Sequence, residues 1–174
     1  MKTTTEIETA MVTAYCKTLR LQAVARNFDE LAQQAVREKK TYAQYLEALL
    51  QLEIEEQESN AIRRRMIEAK FPRIKTMDEF DFSKNPQINP AEIRQLEEGD
   101  YIKRSQPVIF IGDCGTGKTH LLTALAVVAC KQKRRVRFTT AANLINELIE
   151  AQREGTLRRT LARWSRYEVL AIDE

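Results

Sequence analysis

The chain has 174 residues, 43% of them hydrophobic and 30% charged, with a net charge of +3, which leaves room for one full domain or for a small helical domain plus part of a larger one. No apolar run is long enough to span a bilayer, and Met1-Lys2-Thr3-Thr4-Thr5-Glu6 lacks the apolar core of a signal peptide, so no membrane association and a cytoplasmic location are expected. Cys16, Cys114 and Cys130 are odd in number and have neither Cys-x-x-Cys spacing nor histidine partners, so they indicate no disulfide framework or zinc site and are expected to be reduced thiols.

Residues 1–70 read as an all-α N-terminal domain. Leu21, Val24, Ala25, Phe28, Leu31, Ala32 and Ala35 fall on one apolar stripe, Lys39-Lys40 mark a break, and Thr41 is a new N-cap. A second long helix is expected from Tyr42, carrying Tyr45, Leu46, Leu49 and Leu52 inward. Its continuation, Glu53 to Glu58 and then Arg63-Arg64-Arg65, reads as an exposed face with i,i+4 pairs, the three arginines being either solvated or in contact with DNA. Phe71-Pro72 ends the helix, because proline disfavours helical backbone at the residue before it. Residues 71–106 form an irregular connector with Pro72, Pro86 and Pro90 and one short helix near Pro90-Ala91. Within it, Phe80 and Phe82 are expected to anchor the segment to the following domain rather than to contact a base.

Residues 107–174 alternate strand and helix, an α/β pattern with a parallel sheet. Pro107 to Ile111 reads as a strand and Leu121 to Cys130 as a helix. Between them Gly112-Asp113-Cys114-Gly115-Thr116-Gly117-Lys118-Thr119 matches the phosphate-binding loop G-x-x-x-x-G-K-[ST] without a mismatch. Glycines let backbone N–H groups converge on a triphosphate where a Cβ would collide. Lys118 would reach the β- and γ-phosphates and the Thr119 hydroxyl would ligate Mg²⁺, which implies a nucleoside triphosphate as ligand. His120 follows in the first helical turn and is counted with residues 112–119 as nucleotide-binding, a structural role there being favoured over a catalytic one. A strand over Arg135 to Thr139 and helices over Asn143 to Gln152 and Thr156 to Ser165 are expected next. The last strand, from Glu168, ends in Asp173 and Glu174, the form of a Walker B element: Asp173 would hold the Mg²⁺ through its water shell, and Glu174 would orient and deprotonate the attacking water.

Charge is uneven along the chain. Between Thr119 and Tyr167 there are ten Lys or Arg (Lys131, Lys133, Arg134, Arg135, Arg137, Arg153, Arg158, Arg159, Arg163, Arg166) against three Glu, the footprint of a phosphate-backbone binder or of a solvated basic face. Phe138, Trp164 and Tyr167 lie among these charges but fit core positions.

Leu19-Arg20-Leu21, Tyr42 to Leu50, Ala69-Lys70-Phe71-Pro72, Lys75-Thr76, Phe80-Asp81-Phe82, Gly115 to Leu121, Val136 to Thr140 and Ile172-Asp173-Glu174 together resemble the IstB-like ATP-binding proteins, insertion-sequence transposition helpers of the AAA+ class that are similar to DnaC-type helicase loaders. The Walker motifs are shared with many P-loop families; the Phe-Pro, Lys-Thr, Phe-Asp-Phe series is the specific part. The resemblance implies ATP and Mg²⁺ as cofactors, double-stranded DNA and a transposase as partners, assembly into a homo-oligomer on DNA, and N-terminal helices that dock the partner. Asp113-Cys114 depart from the proline-rich loop start of many relatives, and Cys114 is either a reactive thiol or an incidental small residue.

The resemblance also implies an AAA+ sheet with strand order 5-1-4-3-2, which this chain, ending at Glu174, would leave incomplete at its C-terminus. The strand carrying the loop would then lose both neighbours, and residues 107–174 are expected to fold poorly by themselves or to aggregate through open edges. Three functions remain open at this point: a transposition helper ATPase, a DnaC-like helicase loader, and a non-hydrolysing remnant that binds DNA or a partner.

Overall fold

Every helix of the N-terminal segment stops where the backbone turns left-handed. In the computed structural model, which describes residues 4–174, α1 (Thr4–Leu19), α2 (Gln22–Arg37) and α3 (Tyr42–Ala69) are followed by Arg20, Lys39 and Lys70 at φ of 61°, 52° and 58°. Met1, Lys2 and Thr3, part of the N-terminal stretch considered above, lie outside the described residues. At the first break the Leu21 N–H donates to Cys16 O at 2.8 Å and the Arg20 N–H to Lys17 O at 3.2 Å, a Schellman closure. The same pair of bonds recurs at Lys39 and Lys40. The break at Arg20 was not foreseen, because a non-glycine residue at the left-handed position leaves no composition signal. The start of α3 was: Thr41 Oγ1 accepts from the Gln44 N–H at 3.2 Å and Gln44 Oε1 accepts from the Thr41 N–H at 2.9 Å, a reciprocal capping box.

The chain divides into two compact units, Met1–Asn60 and Ala61–Glu174, with the boundary inside α3. In the first, Cys16, Val24 and Leu49 form a buried cluster with Leu21, Ala25, Phe28, Leu31 and Tyr45 packed on it. Two expectations are corrected here. Leu46 is exposed, and Glu53, expected on the solvated face, is 4% exposed. The reason is a cap in trans: α2 follows Leu21, whose side chain has no acceptor, so Glu53 Oε2 takes the Ala23 and Val24 amides at 2.8 and 3.2 Å. The carboxylate also sits favourably at the positive end of the helix dipole.

In the second unit the core is built on α6 (Lys118–Lys131), buried along most of its length and rich in alanine, which lets neighbours approach closely. Ala69, Ala126, Ala129, Cys130, Val136, Phe138 and Ala171 form its cluster, joined by Met66 and Phe71. β1 (Val136–Thr140) and β2 (Val169–Asp173) pair in parallel, Val136 opposite Val169 and Thr140 opposite Asp173. Between them run α7 (Ala141–Arg153), capped by Thr140 Oγ1 on the Asn143 amide, and α8 (Leu157–Trp164). The connector carries α4 (Pro90–Glu97), with Asn89 as N-cap and Pro90 in its first turn, together with the unforeseen α5 (Asp100–Lys103) and a single 3₁₀ turn at Phe82–Lys84.

The expected strand at 107–111 is corrected. The sheet of the described residues has two strands, β1 and β2, and Pro107 to Ile111 pairs with neither. Ile109 and Ile111 are 74% and 93% exposed. Between this segment and the outer edge of β2 lie cavities of about 310 and 220 Å³, both lined by Val108 and Phe110. An apolar, β-branched run has the composition of a strand, but a strand exists only where a second edge supplies the ladder. No helix among the described residues is long and apolar enough to cross a membrane.

Candidate nucleotide-binding site

The phosphate-loop motif forms a turn closed on its own backbone. Gly115 and Gly117 hold φ of 82° and 87°, a conformation that L side chains adopt only with strain. A Cβ at Gly112 would stand 3.2 Å from Thr116 Oγ1, a tight contact that would require the Thr116 side chain to shift by a few tenths of an ångström. Thr116 Oγ1 donates to Asp113 O at 2.8 Å, and Lys118 Nζ donates to Gly112 O at 2.8 Å and to Asp113 O at 3.0 Å. The lysine ammonium is therefore already held within the loop, at the start of α6, where helix N-terminal amides favour an anion. Asp113 and Cys114 are exposed on this loop; the Asp113 backbone carbonyl takes part in its closure.

Thr119 Oγ1 donates to Asp173 Oδ1 at 2.9 Å, across 54 residues of sequence. The end of β2 thus delivers a carboxylate to the first turn of α6, and the two groups expected to hold the metal are brought together. Hydroxyl and carboxylate oxygens are the hard donors that Mg²⁺ selects, and a lysine held in a glycine loop at a helix N-terminus suits a polyanion, so the residues present fit Mg²⁺ and a triphosphate. Glu174 is exposed and lines the smaller of the two cavities together with Lys118 and Asp173.

His120 is engaged away from this set. Its Nε2 lies 2.8 Å from Thr76 O, and its ring meets Phe80 edge-on with centroids 5.2 Å apart. Phe80 is buried with Ile93 and Leu121, and its ring lies against Gly117. The connector therefore reaches the phosphate loop itself, a contact that sequence reasoning missed. The available signal was the Lys75-Thr76 and Phe80-Asp81-Phe82 series, which carried the family resemblance and, in Phe80 and Phe82, an anchoring role with no stated partner.

The basic stretch is partly consumed by structure. Arg134 pairs with Glu168 at 2.6 Å, Arg163 pairs with Glu147, which also accepts from Trp164 Nε1 at 3.1 Å, and the Arg137 guanidinium lies 5.8 Å from the centre of the Trp164 ring. Arg135 donates its amide to Glu168, holding that carboxyl below its usual range with help from Arg134. Arg153, Arg158, Arg159 and Arg166 are exposed at the ends of α7 and α8. Phe138 and Trp164 are buried, as expected of core residues. Of the Arg63-Arg64-Arg65 run, Arg65 donates to Lys133 O and pairs with Glu68, a structural use. Burial pushes the Cys130 thiol up to about 11.

Residues 14–174 match the family model of the IstB-like ATP binding protein. The chain is 34% identical over 160 residues to a Geobacillus stearothermophilus protein named as an ATP-binding protein of insertion sequence IS5376, covering 92% of this chain and 64% of that one. It is 33% identical over 156 residues to the corresponding IS21 protein of Pseudomonas aeruginosa (90% and 59% covered), and 29% identical over 156 residues to that of IS232 from Bacillus thuringiensis subsp. berliner (90% and 62% covered). It thus spans about three-fifths of the length of these relatives. The phosphate loop, the Thr119–Asp173 pair and the connector all fall within the matched residues, and the chain belongs to the family of IstB-like ATP-binding proteins.

Proposed function

We propose that this chain is an insertion-sequence helper ATPase: it binds ATP with Mg²⁺, assembles as a homo-oligomer on double-stranded DNA in the cytoplasm, and assists a transposase in target selection and strand transfer. The observation that carries the nucleotide part is the 2.9 Å bond from Thr119 to Asp173, which sets a Walker A hydroxyl against a Walker B carboxylate beside a lysine held in a glycine loop. The amides of Gly115 to Gly117 cradle the phosphates and Lys118 exchanges its loop carbonyls for phosphate oxygens. Mg²⁺, when bound, would supply positive charge that offsets the charge of the phosphates. Thr119 and Asp173 would hold it, while Glu174 would orient the attacking water and accept its proton. The names of the relatives and the exposed arginines of α7 and α8 support the insertion-sequence and DNA parts of this reading.

The test is nucleotide binding and turnover by the purified chain, with and without duplex DNA, beside Lys118→Ala. Turnover that rises with DNA and is lost in the variant is the expected result. Binding without turnover in either condition would reduce the function to nucleotide-dependent DNA or partner binding, and binding undiminished in Lys118→Ala would overturn the site.

A further inference from the structure

We propose that Phe80 is a positioning residue of the phosphate loop: carried by the connector, its ring holds Gly117 in the left-handed conformation on which the convergence of the loop amides depends. The inference rests on the nucleotide-binding reading above for its consequence, though its geometry does not. A Cβ built on Gly117 would stand 2.6 Å from Phe80 Cε2 and 3.3 Å from Cζ, so the ring lies directly against the glycine. A Cβ on Gly115 would meet nothing within 4 Å. The two glycines share a positive φ but differ in this: Gly115 is required by its backbone angle alone, Gly117 by its angle and by Phe80.

The ring is itself fixed. Phe80 is 8% exposed, packs with Ile93 of α4 and Leu121 of α6, and meets Phe82 edge-on at 4.9 Å. Three residues beyond Gly117, His120 bonds Thr76 O from the same stretch of connector. The connector therefore grips the loop and the first turn of α6 at two points. Glycine has more backbone freedom to lose than any other residue, and a ligand that must order it loses that free energy on binding. A ring that has already ordered Gly117 removes this cost, so Phe80 acts on nucleotide affinity without touching the nucleotide.

A double-mutant cycle on the full chain tests it, read by a fluorescent ATP analogue. Phe80→Ala is expected to weaken binding about tenfold, with Phe80→Leu recovering part of the loss. Gly117→Ala should cost at least about threefold less in the Phe80→Ala background than in the parent, because the clash is gone while the φ strain is common to both and cancels. Gly115→Ala should cost the same factor in both backgrounds, a result that general destabilisation would not produce. Amide exchange without nucleotide gives the second reading: Phe80→Ala should speed exchange across 112–118 and leave β1 and α7 unchanged. If Phe80→Ala also loses protection in β1, Phe80→Leu, which lacks the atoms nearest Gly117, replaces it in the cycle. Equal cost of Gly117→Ala in both backgrounds, or unaltered loop exchange, overturns the proposal. A parent chain that binds no analogue would sink the nucleotide reading, and loop exchange would then decide the role of Phe80 by itself.

Discussion

Replacing Glu53 by alanine should destabilise the N-terminal unit by about 2–4 kcal/mol, an effect that its place in an acidic run gives no reason to expect. In the structure Glu53 Oε2 accepts from the Ala23 and Val24 amides and Oε1 accepts from Gln57 Nε2 at 3.1 Å. Alanine leaves two amides of a buried helix start without an acceptor, at about 1–3 kcal/mol for each group that water cannot reach. Loss of a single N-cap costs about 1 kcal/mol, and this carboxylate serves two amides. Glu53→Gln keeps an acceptor of the same shape and loses only the attraction of the charge for the helix dipole, about 0.3–1 kcal/mol. Urea unfolding monitored by amide exchange at Ala23 and Val24 isolates this unit from the other. Alanine should move the midpoint several times further than glutamine and should bring those two amides to fast exchange. Equal effects of the two substitutions, or an alanine variant within about 0.5 kcal/mol of the parent, would refute the capping argument.

The other predictions concern the site and the titrating groups. Asp173→Ala should weaken Mg²⁺ affinity in the nucleotide complex about 10- to 100-fold, read by titrating Mg²⁺ against analogue binding, while Mg²⁺-free binding changes little. With iodoacetamide at pH 8, the exposed Cys114 should react first and Cys16 and Cys130, both buried, should be spared. Cys130 has the further protection of a thiol pushed up to about 11, which keeps it protonated, and mass spectrometry of the labelled peptides gives the order. Glu168, whose carboxyl is lowered by the Arg135 amide first and Arg134 second, contributes stability that is present above the ordinary carboxylate range and is lost as pH falls through its folded value. Glu168→Gln should therefore unfold more easily than the parent at pH 6, with the difference narrowing by pH 3.5 in paired urea titrations; a constant difference would contradict the assignment.

Much of this protein is written locally in its sequence. The phosphate loop is legible because its glycines, lysine and threonine act within eight consecutive residues, and the Thr41–Gln44 box, Pro90 and the periodicity of α6, α7 and α8 are equally short-range. β1 and β2 are legible too, because Val136 and Phe138 alternate with more polar neighbours and Val169 to Ile172 is a continuous apolar run. What tertiary structure decided lies wherever the partner is far away in the chain. Pro107 to Ile111 has a strand's composition and no ladder, since pairing belongs to two edges and not to one segment. Glu53 is buried against expectation, because α2 lacks an acceptor at its own start and draws one from 30 residues downstream, and Leu46 is exposed where an inward position was expected. The sequence names Thr119 and Asp173 as one site, but only the packing of β2 beside α6 brings their oxygens within 2.9 Å. It says that Phe80 is an anchor, and only the fold places its ring on Gly117, because burial depends on which surfaces meet and no window of sequence contains both.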